Sequence, residues 1–168
     1  MADIVRLART SRRTFYEQFP DRDACFLALF EEANEEVMRE LAEAVEPAAP
    51  PVAQVDQALD AYLASVLSRP LLHLSFVREL PALGAAGAEL QRAVVDRFAS
   101  LLVELVESGR AAHPELDARP LDPDLAMMIV GGIRELMLTA AVRGRDLREL
   151  RRSASRAAVA VINATVLG

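Results

Sequence analysis

Between Arg9 and Phe30 the chain reads RTSRRTFYEQFPDRDACFLALF, which sets Arg9, Arg12, Arg13 and Arg22 among hydroxyls at Thr10, Ser11, Thr14 and Tyr16. A guanidinium grips a phosphate, or the O6/N7 edge of guanine, through two parallel hydrogen bonds, and Tyr and Thr hydroxyls donate to phosphate oxygens. On a helical wheel Phe15 and Phe19 share one face, with Ser11 and Arg12 on its flanks. Arg13 and Glu17 point almost directly away, between Thr14 and Tyr16. One face is thus a two-ring anchor. The other presents guanidinium, phenol, hydroxyl and carboxylate at a helix N-terminus, whose free N–H groups form a further anion site. Glu17 meets a polyanion at a cost unless it takes a cytosine amino group or pairs with Arg13. Spacing alone fits a solvated amphipathic helix as well as a DNA-reading one.

Other reactive groups do not assemble into a catalytic pattern. HExxH, CxxC, G-x-S-x-G and glycine-rich phosphate loops are missing from the sequence. Cys25 is the single cysteine, and His73 and His113 are far from it and from each other, with no metal-ligand spacing around either. No enzyme activity, cofactor or metal is expected. A single cysteine cannot close an internal disulfide and suits a reducing cytosol.

The elements that must position these groups read as helices throughout. Helical spacing recurs along the chain, no segment alternates cleanly as a strand, and the breakers fall between periodic runs. A short helix is expected from Asp3 to about Ala8, and a second, capped by Ser11, to near Phe19. Asp21 caps a long third helix from about Arg22 to Val45, and EPAAPP, Glu46–Pro51, is the clearest linker. Val52 to Leu67 follows the i, i+3, i+4 rule until SRP breaks it, and LLHLSFVREL forms a shorter helix ended by Pro81 and Gly84. Leu90 to Ser108 is helical up to Gly109, followed by the loop AAHPELDARPLDP. Asp122 or Asp124 opens a helix stopped at Gly144, and the last helix runs from Asp146 to about Leu167. Its apolar face is read as Leu147, Leu150, Ala154, Ala157, Val161 and Ala164. The expected class is all-α, with roughly eight helices.

The 168 residues are enough to bury a real core, and no apolar run is long enough to cross a bilayer. The net charge of −6 hides a segregation. Residues 1–22 carry five arginines against three acids, residues 23–142 eight against twenty, and residues 143–156 six against two. An acidic body with a basic end suits a nucleic-acid binder whose body repels the same polyanion, although charged helix faces are commonly just solvated. All 19 basic residues are arginine, which reads as a GC-rich coding bias.

The stretch ADIVRLARTSRRTFYEQFPDRDACFLALFEEA resembles the DNA-binding region of TetR-like transcriptional repressors, from Ala2 to about Ala33. Ile4, Ala8, Ser11, Thr14 to Tyr16, Phe19, Asp21 and Arg22 fall in register with that pattern. The resemblance implies a helix-turn-helix DNA-binding segment, residues 1–33, followed by a helical ligand-binding and dimerisation domain, residues 34–168. It implies that Ser11, Thr14 and Tyr16 contact the DNA backbone, that Arg12 and Arg13 read bases, and that Arg22 holds a phosphate. Three departures carry expectations of their own. Arg9-Thr10 stands where the family favours Gly-Val, so Arg9 must adopt a left-handed conformation or the chain must bend differently. Gln18 replaces a usual His or Tyr. The match begins at the second helix of the family's three-helix unit, so Ile4, Leu7 and Phe15 are expected to be partly wet. The natural chain is expected to be longer than this one, either because its true start lies upstream of Met1 or because the domain was trimmed.

The family likeness weakens after about Ala33, though GGIRELMLTAAVRGRDLREL still looks like the C-terminal pattern of one such group. In the family the last two helices pair with their two-fold mates. Here Gly131, Gly132, Ser153, Ala154, Ala157, Ala158, Ala160 and Ala164 allow close approach, and Val159, Val161 and Ile162 supply apolar area, so a homodimer is expected. Arg148, Arg151, Arg152 and Arg156 are expected to be solvated or paired between chains. A small, organic and largely apolar effector is expected among the central helices, against Tyr62, Phe76, Phe98, Met127 and Met128, with His73, Arg134 and Glu135 as polar handles. The same residues also suit a plain core, since Met fills gaps and a lone His is commonly structural. The resemblance implies a cytoplasmic, homodimeric repressor that holds a palindromic double-stranded operator and releases it on effector binding, without any membrane role. The alternative is a dimeric small-molecule-binding module that holds DNA poorly.

Overall fold

Local capping chemistry places the first elements. Ser11 takes an extended conformation and its Oγ accepts from the Thr14 N–H at 3.0 Å, which starts one helix. Asp21 does the same for the next, its Oδ1 accepting from the Ala24 N–H at 2.7 Å. The computed structural model describes residues 2–166, apart from the side chains of Ala2, Ala141, Leu147 and Arg148, and it is all-α. Its helices are α1 (Ala2–Leu7), α2 (Arg12–Gln18), α3 (Arg22–Ala44), α4 (Pro51–Ser68), α5 (Pro70–Glu79), α6 (Gly84–Ala112), α7 (Pro123–Arg143) and α8 (Leu147–Thr165). Short 3-10 segments, Leu80–Leu83 and Pro114–Leu116, follow α5 and α6.

The turn between α1 and α2 answers the question posed by Arg9-Thr10. Arg9 has φ 50, in the left-handed region. The Thr10 N–H reaches the Val5 carbonyl at 3.0 Å and the Arg9 N–H reaches Arg6 at 3.2 Å, the paired closure that glycine usually serves. Gly144 does serve it after α7, with φ 63 and the Arg145 N–H on the Ala140 carbonyl at 2.9 Å.

The body packs α3 on α4 and α6, α6 on α7, and α8 on α4 and α7. One buried cluster joins Phe30, Ala33, Phe76, Leu80 and Val94, across α3, α5 and α6. A second joins Ala99, Leu121, Ala126, Ile162 and Val166, and a third Leu63, Met137, Ala140 and Leu150. α3 runs without a break through residues 33 and 34, so the two regions expected from the sequence share one helix. No helix among the described residues is long and apolar enough to cross a membrane.

Several expectations are corrected. α6 does not stop before Gly109 but continues to Ala112. Gly109 is buried in its wall, where a Cβ would stand 2.6 Å from Oε1 of Gln54 on α4, so this glycine serves helix packing and not termination. α6 also begins earlier, at Gly84, because the Ala-rich turn before Leu90 propagates the helix without apolar periodicity. On α8 the buried stripe is Leu150, Ala154, Ala158, Ile162 and Val166, a strict i+4 series, while Ala157 and Ala164 are exposed. Ala154, Ala158 and Ile162 are therefore spent inside the chain and are not free for a partner. Leu167 lies outside the described residues. Phe15 is not wet: it is 5% exposed, its ring 5.4 Å from Tyr16 and 5.5 Å from Phe19, and α1 packs on α2. Leu7 does stay bare, at 75% exposure.

Candidate nucleic-acid interface and ligand cavity

The α2 side chains divide as the wheel demands. Phe15 is buried and Phe19 half-buried, while Arg12, Arg13, Thr14, Tyr16 and Glu17 are exposed, as are Ser11 before the helix and Arg22 at the start of α3. Arg13 Nε donates to Glu17 Oε1 at 2.9 Å, one turn away along the same face. The pair is fully solvated and weak, so Arg13 can exchange Glu17 for a phosphate or a base edge at little cost. Among the described residues, Arg9, Arg12 and Arg22 have no acidic partner. The Ser11 and Thr14 hydroxyls hydrogen-bond each other at 2.9 Å, which leaves one of their two protons free for an outside acceptor. The structure thus gives Ser11, Arg12, Arg13, Thr14, Tyr16 and Arg22 exposed positions on α2, just before it and at the start of α3. This surface can hold an extended polyanion by charge-assisted hydrogen bonds.

The body contains a cavity of about 800 Å³, bounded by parts of α3 to α8. Tyr62 of α4, His73 and Phe76 of α5, Phe98 of α6 and Arg134 of α7 line it, so five of the expected ligand residues meet around one space. Tyr62 and Phe98 stand edge to face at 6.5 Å, and His73 contacts Phe76 in the same manner at 6.1 Å. Burial pushes the Tyr62 phenol up, and the Arg134 charge partly offsets this. Burial, followed by the Arg69 charge, pushes His73 down, so its ring is neutral at neutral pH. Such a chamber, apolar with a few convergent polar groups, has the size and make-up of a small-molecule site.

Met127 and Met128 are not in its wall. They are 44% and 65% exposed, because the inward stripe of α7 runs through Ile129, Ile133 and Met137, and residues just ahead of that stripe face out. Glu135 is likewise exposed and takes a hydrogen bond from the Thr139 hydroxyl at 3.4 Å. Sequence reasoning missed Asn34 and Leu41 of α3 and the turn residues Gly144 to Asp146, which also border the cavity. Nothing local in the sequence marks those positions.

Ion pairs tie the helices around the cavity. Arg97 of α6 places Nη1 3.1 Å from both Glu31 and Glu35 of α3, and its Nε and Nη2 are buried without a partner. Arg69 reaches Glu36 at 3.1 Å. Arg151 of α8 pairs within the chain, Nη2 donating to Asp60 Oδ2 at 2.8 Å on α4, with Asp56 at 3.5 Å. This corrects the expectation of solvent or interchain partners at Arg151. Arg152 and Arg156 are exposed, and the Arg148 side chain lies outside the described residues.

No family model, no curated protein and no solved structure matches the chain.

Proposed function

We infer that the protein is a ligand-responsive, DNA-binding transcriptional regulator of TetR-like type, acting as a homodimeric repressor. One observation carries the reading: α3 begins with Arg22, just after the turn that follows α2, and continues as one unbroken helix to Phe30, Asn34 and Leu41 in the cavity wall. An effector that fills the cavity presses on the helix that carries Arg22 and follows α2 in the chain. Occupancy then favours one placement of α2 over another, a population shift between two states. In this reading α1, the Arg9 turn and α2 form a helix-turn-helix, and α2 enters the major groove with Arg12 and Arg13 on base edges. Support for a second copy comes from the outer side of α7 and α8. Met127, Met128, Leu136 and Val142 of α7 are exposed, and so are Ala157, Ala160 and Ala164 of α8. Small residues let helices approach closely, and the larger apolar ones supply area to bury.

The test is anisotropy of fluorescent duplexes selected from a random pool, titrated with the chain over a salt series. Sequence-preferring binding with a steep salt dependence supports the reading, each arginine–phosphate contact adding about 0.9 to the log–log slope. Arg22→Ala is expected to lower the slope by about one without changing the preferred sequence, whereas Arg13→Ala relaxes the sequence preference.

A second reading, a dimeric small-molecule-binding module with ineffective DNA binding, draws on the bare Leu7 of α1. A helix of six residues with Leu7 in water and Ile4 and Val5 only half-buried is weakly held, and it packs on α2. Failure to bind any selected duplex at low salt favours this second reading.

A further inference from the structure

The polar groups in the cavity wall differ in whether they are already used. Asn34 donates through Nδ2 to the Phe30 carbonyl at 2.6 Å. Arg145 and Asp146 sit on the exposed turn between α7 and α8, and Asp146 is engaged by an interaction of its own. Gln91 of α6 also borders the space without a hydrogen bond among the described residues, but it is neutral, and Arg134 is the charged case. It projects from the middle of α7, is half-buried, and among the described residues has neither an ion pair nor a hydrogen bond. Glu135, the carboxylate next to it in sequence, turns to solvent and Thr139. A half-buried guanidinium that borders an apolar chamber without a protein acceptor is free to take its hydrogen bonds from water or from an anionic ligand. Tyr62 is near enough to feel the Arg134 charge, and its phenol stays protonated as a hydrogen-bond donor. His73, neutral, adds no competing charge.

Resting on the cavity as an effector site, we propose that its ligand is an amphiphilic organic carboxylate, held by the Arg134 fork with the Tyr62 hydroxyl as second donor. The aliphatic or aromatic body of the ligand fills the apolar space of about 800 Å³. An uncharged apolar ligand leaves Arg134 without an acceptor, and an amine meets the charge of Arg134 with no carboxylate deep in the wall. The planar fork matches a carboxylate through two parallel bonds, which an alcohol cannot reproduce.

Calorimetric titration of the full chain with decanoate, decan-1-ol and decylamine tests this. Decanoate is expected to bind about tenfold or more tighter than decanol, with decylamine weakest. Arg134→Gln brings decanoate and decanol to within about threefold of each other by weakening decanoate, and retains the helical melting profile. Arg134→Lys keeps part of the preference. Should Arg134→Gln fail to fold, the ranking of the three probes on the unaltered chain decides. Equal affinity for decanoate and decanol, both weakened by the cavity-filling Phe98→Trp, overturns the carboxylate and leaves the cavity as an effector site. No heat from any of the three probes overturns both.

Discussion

Phe15 and Phe76 are the same residue at the same burial, each 5% exposed. The ring of Phe76 meets Phe30 at 5.0 Å and Phe26 at 5.7 Å, both from α3, which lies more than forty positions earlier in the chain. The ring of Phe15 meets Tyr16 and Phe19, its near neighbours in sequence. Burial alone therefore does not say what a residue holds together. Phe76 closes a long loop of chain and is bound up with the cooperative unfolding of the body. Phe15 closes a small segment whose stability can be lost while the body stays folded. The difference suits the two roles proposed: a rigid chamber that senses, and a lightly held head that can be repositioned.

The largest expected effect is at Phe76. Phe76→Ala is expected to lower global stability by about 3–5 kcal/mol, with all helical signal lost in one transition during denaturant titration. Loss of the α5 signal alone would show that the body is not one cooperative unit.

Phe15→Ala comes next. Hydrogen exchange is expected to show loss of amide protection in α1 and α2, while the unfolding free energy of the body changes by no more than about 0.5 kcal/mol. DNA binding, where present, is lost with the segment. An equal fall in global stability for Phe15→Ala and Phe76→Ala would erase the distinction between the two regions.

What the sequence made legible follows the same division. The caps at Ser11, Asp21 and Gly144 are local hydrogen-bond events, and each stands where residue type alone put it; between Asp122 and Asp124, which residue type left open, the cap is Asp122. The exposed set Arg12, Arg13, Thr14 and Tyr16 followed from one helical wheel anchored on Phe15. The body was less legible because its faces are set by partners distant in the chain. α7 is apolar on more than one side, so periodicity could not say that Ile129, Ile133 and Met137 turn inward while Met127 and Met128 turn out. α8 is rich in alanine, which satisfies either of two adjacent stripes, and the choice fell to packing with α4 and α7. Gly109 carried the signal of a helix end but lies inside α6 because Gln54 of α4 occupies the space a Cβ would need.

The smallest effect is expected at Arg9, where the two regions can be separated by one backbone angle. A residue with a Cβ at φ 50 is strained by roughly 1 kcal/mol relative to glycine, and part of that is returned as the greater freedom of glycine in the unfolded chain. Arg9→Gly is therefore expected to slow exchange of the Thr10 amide, which closes the turn on the Val5 carbonyl, by an amount worth about 0.5–1 kcal/mol. Arg9→Ala removes the same charge and the same long side chain but keeps the Cβ, so it should leave that exchange rate nearly unchanged. Neither substitution should move the unfolding midpoint of the body. Equal slowing in both variants would trace the effect to charge among the clustered arginines instead of to backbone strain.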